Sequence, residues 1–151
     1  MPKSHVLFVD DEPLPSQTYR DGLEESGFTI EYRSCADTGL EYLRDRYAEI
    51  DVVVLDMMMP TPKGVSTAAT SDGQTTGIWF LLQCREIIET NVLPIYVLTN
   101  RGKKTLAGLI ADQVLPINWV LEIGTKYADV TPQTLPGELQ KLLAPKARRP
   151  H

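Results

Sequence analysis

Two apolar runs in this chain each end in carboxylate. Residues 6–9 (Val-Leu-Phe-Val) lead into Asp10 and Asp11, and residues 52–55 (Val-Val-Val-Leu) lead into Asp56. Uninterrupted apolar runs of this length suit strands buried on both faces of a parallel sheet. Laid side by side, they bring three acids together. Like charges about 4 Å apart repel by ~4 kcal/mol per pair at an effective dielectric near 20. Relief comes from a raised pKa or from a bound cation. A hard divalent ion held by oxygens is the simplest relief, and Mg²⁺ binds through one or two carboxylates together with phosphate oxygens. The cluster therefore reads as a site for phosphoryl chemistry.

The elements that must position these acids alternate along the chain. After the first strand, Pro13 and Pro15 suit the first turn of a helix that reaches Leu23 and stops near Gly27. Residues 28–32 alternate apolar and polar as an edge strand does. Ser34 and Asp37 resemble a capping box, and Ala36, Leu40, Leu43 and Tyr47 share one helical face behind it. After the strand at 52–55, a helix is expected from Gly77, striped by Ile78, Leu81, Leu82 and Ile88. Pro94 opens a strand at 95–98 that ends at Thr99 and Asn100. Leu106, Leu109, Ile110 and Val114 mark a further helix, residues 119–123 a fifth strand, and Leu135, Leu139, Leu142 and Leu143 a terminal helix. The pattern is (βα)5, an α/β chain that predicts a parallel sheet with helices on both faces and right-handed crossovers. Ligands of such sheets bind beyond the carboxyl ends of the strands. Asp10, Asp11, Asp56 and Thr99 stand there, with Lys126 three residues past the fifth strand.

Composition narrows the function classes. At 151 residues, 42% hydrophobic and 23% charged, the chain has the size and make-up of one globular domain. No apolar stretch approaches the ~18 residues of a membrane span, and acids come too early for a signal peptide. Cys35 and Cys84 have no metal-type spacing and read as small buried hydrophobes in a reducing cytoplasm. Residues 1–60 carry 13 acids against 5 bases, and residues 61–151 carry 7 against 10. That balance lacks the basic face of a nucleic-acid footprint. Lys146, Arg148 and Arg149 form a short basic tail, read as solvated.

Taken in order, Val-Asp-Asp-Glu (9–12), Leu-Asp-Met-Met-Met-Pro (55–60), Val-Leu-Thr (97–99) and Lys126 resemble the receiver domain of bacterial two-component response regulators. The resemblance spans essentially the whole chain and implies an open, flavodoxin-like (βα)5 sheet of strand order 2-1-3-4-5. It implies Asp56 as phosphoryl acceptor, attacking the phosphohistidine of a partner kinase. Asp11 would bind Mg²⁺ directly and Asp10 through water or by orientation. The backbone carbonyl of Met58, two residues past the acceptor, would be a further ligand. Thr99 would hydrogen-bond a phosphoryl oxygen and Lys126 would pair with it.

Three departures from the family pattern stand out. Tyr127, rather than proline, follows Lys126; Ile123 occupies the position of the aromatic switch residue; and 43 positions separate Asp56 from Thr99, more than the family spacing. The extra residues, 61–76, are rich in Thr, Ser, Gly and Pro and lack a hydrophobic period. A loop this long beside a reacting centre is often functional. Thr61, Gly64, Ser66, Thr67, Ser71, Asp72, Gly73, Thr75 and Thr76 are its candidate lid residues, set against a passive surface insertion.

The expected function is a stand-alone receiver: domain 1–144, insertion 61–76 and tail 145–151. It is not expected to be an enzyme, beyond self-catalysed phosphotransfer and dephosphorylation. Its expected partners are a sensor histidine kinase or histidine phosphotransfer protein and a downstream protein, with neither nucleic acid nor membrane. It is expected to be cytoplasmic, as a monomer or phosphorylation-dependent dimer. Three other readings are weaker. A phosphatase of the haloacid dehalogenase type wants a second acid where Met58 stands. A flavodoxin-like cofactor binder would need a neutral phosphate loop where Asp-Asp-Glu-Pro stands. A phosphorylation-independent pseudo-receiver would not need the intact acidic site.

Overall fold

The computed structural model describes residues 3–100, 107–108, 110 and 119–147. Five parallel strands form one sheet in the order β2-β1-β3-β4-β5: β1 (His5–Val9), β2 (Thr29–Arg33), β3 (Val52–Leu55), β4 (Ile95–Thr99) and β5 (Leu121–Thr125). The expected open α/β sheet of order 2-1-3-4-5 is therefore what the chain builds. Helices α1 (Pro13–Glu25), α2 (Ala36–Arg46), α3 (Thr76–Gln83), α4 (Arg85–Asn91) and α5 (Leu135–Ala147) are interspersed with the strands. None of the described helices is long and apolar enough to cross a membrane.

Side-chain alternation along each strand splits the core in two. Leu7, Val9, Val53, Leu55, Ile95, Val97 and Ile123 face the layer holding α2 and α3. Val6, Phe8, Val52, Val54, Tyr96 and Leu98 face α1 and α5, where Tyr19, Leu23, Leu135 and Leu139 cover them. β1, β3 and β4 are buried on both faces, which is why they read as unbroken apolar runs. β2, at the edge, has none of its five residues fully buried.

Several expectations need correction. Ser34 does not cap α2: Cys35 holds the N-cap position without a side-chain cap bond, and the Thr38 hydroxyl bonds back to the Cys35 carbonyl at 3.3 Å. Tyr47 lies past the end of α2 in a short 3-10 turn (Tyr47–Glu49) and is exposed, so it leaves the buried face. The helix expected from Gly77 breaks at Cys84, whose φ of −108° and ψ of 17° separate α3 from α4. Its buried face runs through Gly77, Leu81 and Cys84, and Leu82 is exposed. β5 starts two residues later than its apolar run suggests, because Ile95 pairs with Leu121 while Trp119 and Val120 lead in. Lys126 thus follows its strand immediately. The free Cys84 is buried as expected, with its thiol pKa pushed up to about 12 by burial, but Cys35 is only half-buried. Of the helix expected around 106–114, Ile110 is buried, and Leu106, Leu109 and Val114 lie outside the described residues. α5 continues past residue 144 to Ala147; Arg148 and Arg149 also lie outside the described residues.

Candidate functional site

Strand register brings the acids together. Phe8 pairs with Val54 and Val9 with Leu55, so Asp10 and Asp56 leave neighbouring strands side by side. The backbone supports both: the Asp56 N–H donates to the Val9 carbonyl at 2.9 Å, and the Asp10 N–H to the Arg33 carbonyl at 3.1 Å. Asp10 and Asp56 are buried and Asp11 is half-buried, and one oxygen from each lies within 4.8 Å of the others.

Lys126 completes the cluster from the far side of the sheet. Its Nζ stands 2.8 Å from Asp10 Oδ2 and 3.9 Å from Asp56 Oδ2, with only 6% of the side chain exposed. Asp10 Oδ1 also accepts the Glu12 N–H at 2.9 Å, and the Tyr32 hydroxyl donates to the Asp10 carbonyl at 2.6 Å. Burial pushes the Asp56 carboxyl up to about 7; Lys126 draws it down, Asp10 and Asp11 push it further up, and the Met58 N–H bond draws it down again. Asp11 is raised by burial and by Asp10. Burial works against the Lys126 charge, but the Asp56 and Asp10 carboxylates outweigh it and its pKa lies above the usual lysine value. Among the described residues, one ammonium thus stands against three carboxylates in this corner, Asp11 being the half-buried one.

An all-oxygen donor set of this spacing fits a hard divalent cation, and the surplus negative charge is the reason it would bind one. The sequence-expected ligands Asp10, Asp11 and Asp56 are brought together. Met58 directs its N–H at the Asp56 carboxylate and is itself 43% exposed. Thr99 is fully buried at the end of β4, and its carbonyl accepts the Lys126 N–H at 2.8 Å. Ile123, in place of a switch aromatic, is buried in the α2–α3 layer.

The insertion is built rather than loose. Thr67–Thr70 forms a 3-10 turn with Ser66 as its N-cap, whose hydroxyl accepts the Ala69 N–H at 3.3 Å. The Thr61 and Thr70 hydroxyls bond each other at 2.7 Å, and the Thr76 hydroxyl donates to the Met59 carbonyl at 2.6 Å. Ser71 and Asp72 take positive φ, as do Gly64 and Gly73, and Thr75 is the N-cap of α3. The Met59 N–H donates to the Gly73 carbonyl, which ties the segment to the chain just beyond Asp56. Pro62, Lys63 and Val65 line a groove of about 430 Å³ against α2 and Trp79. Gly77 then packs against the acceptor strand's exit: a Cβ there would lie 2.9 Å from the Asp56 carbonyl and from Met57 Cα.

Sequence reasoning missed Tyr32, whose hydroxyl bonds the Asp10 backbone and whose ring carries the Arg20 guanidinium 3.8 Å above it. It also missed Tyr19. Neither has a local sequence signal beyond a polar tip on an apolar body.

An open parallel sheet with an acidic cluster and a lysine at its carboxyl edge defines a receiver-type α/β domain. The profile of the response regulator receiver domain matches residues 6–112, and the chain belongs to that family. The match stops short of β5 and Lys126, where the family pattern is departed from. The chain is 30% identical over 101 residues to the transcriptional regulatory protein CseB of Streptomyces coelicolor, covering 66% of this chain and 35% of that protein. It therefore spans about a third of that curated relative. A response regulator receiver domain protein of Clostridium thermocellum shares the fold at a TM-score of 0.68 and 24% identity, over 95% of this chain and 97% of that one. The chemotaxis protein CheY4 of Vibrio cholerae does so at 0.69 and 21%, over 93% and 99%.

Proposed function

We propose that this chain accepts a phosphoryl group on Asp56 from the phosphohistidine of a sensor histidine kinase or histidine phosphotransfer protein, in a Mg²⁺-dependent reaction. It then signals through contact with a downstream protein. The observation that carries this reading is the convergence of Asp10, Asp11 and Asp56 within 4.8 Å, with Lys126 against two of them.

In the transfer, an Asp56 carboxylate oxygen forms the new O–P bond as the N–P bond breaks, and the departing imidazole keeps the electron pair and takes up a proton. Asp10, Asp11, Asp56 and the Met58 carbonyl are the oxygens that would hold Mg²⁺, which supplies charge neutralisation for the phosphoryl oxygens. Lys126 and the Thr99 hydroxyl would bind those oxygens from the protein side. Burial of Asp56 keeps bulk water from the reacting corner. The chain acts on itself and turns over no separate substrate, so it is a signalling module rather than an enzyme in the usual sense. It works in the cytoplasm, as a monomer or phosphorylation-dependent dimer, without direct contact to nucleic acid or membrane.

Intact mass after incubation with a small acyl-phosphate donor and Mg²⁺ tests the reading. One labile phosphate is expected on the wild type and none on Asp56→Asn. An unmodified wild type, or stable phosphate on a Ser or Thr of residues 61–76, overturns it.

A further inference from the structure

Lys126 is aimed by the turn that follows β5, and that turn is unusual. Tyr127, the next residue, has φ of 62°, the left-handed region that a non-glycine residue enters only when its surroundings hold it there. Tyr19, in the middle of α1 and fully buried, supplies that hold. Its hydroxyl donates to the Val130 carbonyl at 2.6 Å and accepts the Tyr127 N–H at 3.0 Å. One phenol thus ties both ends of the 127–130 turn to the helix. The Tyr19 and Tyr127 rings pack at 5.2 Å, and the Thr18 and Tyr127 hydroxyls meet at 2.9 Å. α1 comes so close here that a Cβ on Gly22 would lie 2.5 Å from the Pro132 carbonyl.

We infer that Tyr19 is a positioning residue for Lys126: its hydroxyl clamps the Tyr127–Val130 turn and so fixes the ammonium between Asp10 and Asp56. The turn's internal bonds close it on itself. The N–H groups of Ala128, Asp129 and Val130 all donate to the Thr125 carbonyl, and the Tyr127 N–H also reaches the Val130 carbonyl at 2.8 Å. Those bonds shape the turn but do not attach it to α1. The Tyr19 hydroxyl makes that attachment from the protein interior, on the helix that starts at Pro13, separated from the acidic pair by Glu12 alone. The clamp therefore references the lysine to the same helix that leaves Asp10 and Asp11. What Lys126 does at Asp56 rests on the phosphoacceptor reading above; where Lys126 is held does not.

The test separates the two. Trace amine acetylation, read by peptide mass, reports how well Lys126 is held, with Lys3, Lys63 and Lys141 as internal references. Tyr19→Phe, which keeps the ring and removes the hydroxyl, should raise Lys126 labelling relative to those references by about tenfold, the scale of one or two net hydrogen bonds. It should also slow phosphoryl uptake from a small donor by a similar factor, and should slow it no further in a Lys126→Ala background, because the clamp acts through the lysine. Unchanged Lys126 labelling in a folded Tyr19→Phe overturns the inference, as does an equal slowing in the Lys126→Ala background. Should Tyr19→Phe fail to fold, Tyr127→Ala decides, since Tyr127 is 61% exposed and its ring is expendable for folding. Both clamp bonds run from the Tyr19 hydroxyl to backbone groups and survive there, so wild-type Lys126 labelling supports the clamp, and a rise of about tenfold overturns it by assigning the hold to the Tyr127 ring. A wild type that takes up no phosphate refutes the phosphoacceptor reading, while the labelling arm still decides the clamp.

Discussion

Replacing Asp56 with asparagine should make the metal-free protein more stable at pH 8 while abolishing its proposed acceptor chemistry. The carboxyl is held at about 7 against an ordinary value of 3.8, chiefly by burial. A group with a raised pKa in the folded state stabilises the fold most when it is protonated, below its unfolded value. That contribution is lost as pH rises from about 4 through about 7. At ~1.4 kcal/mol per pH unit, the full loss is about 4 kcal/mol. The pull of the Lys126 ammonium is already contained in that value, since Lys126 draws the Asp56 carboxyl down. Relaxation of the site and entry of water on ionisation reduce the cost, and a penalty of about 2 kcal/mol at pH 8 is the working figure. Asparagine mimics the protonated acid in size and never ionises, so it escapes the penalty. Urea unfolding with chelator present, at pH 5 and pH 8, measures it through the midpoint at constant slope. Wild type should lose stability between the two pH values, and Asp56→Asn should lose about 2 kcal/mol less, near 4–8 °C in melting temperature for a chain of this size. An asparagine variant less stable than wild type at pH 8, or equal pH dependence in both, would refute the account of the buried acid.

Mg²⁺ should stabilise wild type in proportion to the logarithm of its concentration, by about 2.7 kcal/mol at a hundredfold excess over Kd, and raise its melting temperature accordingly. Asp11→Ala should flatten that rise, and an unchanged slope would place the ion elsewhere. Gly77→Ala pits two effects against each other: helix propensity favours alanine by ~1 kcal/mol, but the Cβ would press on the Asp56 carbonyl and Met57 Cα at 2.9 Å. Overpacking should win by 1–2 kcal/mol, roughly, and a stabilised variant in urea would show that α3 can shift away from β3. Replacing residues 61–76 by a short glycine-containing turn should alter dephosphorylation or transfer from the partner. If folding survives and neither rate moves beyond about twofold, ~0.4 kcal/mol in the barrier, the segment is a passive insertion.

The strands that carry the acids were legible in the residues because burial on both faces leaves a signature that needs no partner to read. Residues 52–55 form the strand predicted, and residues 6–9 fall within β1. The same apolar continuity misplaced β5, where Trp119 and Val120 extend the run but the pairing with β4 begins at Leu121. Composition marked residues 61–76 as an insertion, yet the hydroxyl bonds that fold it onto Met59 depend on which threonines meet, and no period encodes that. The break at Cys84 and the failure of Ser34 to cap α2 are outcomes of packing that overrides local preference. Asp10, Asp11 and Asp56 were paired from strand ends alone, because register in a parallel sheet turns similar sequence positions into neighbours. The approach of Lys126 to Asp10 spans 116 residues, and the Tyr19 clamp on Val130 spans 111. Such contacts leave no mark on either local segment. They exist only once the sheet order, the twist and the docking of α1 have set the distances, and tertiary structure alone decides them.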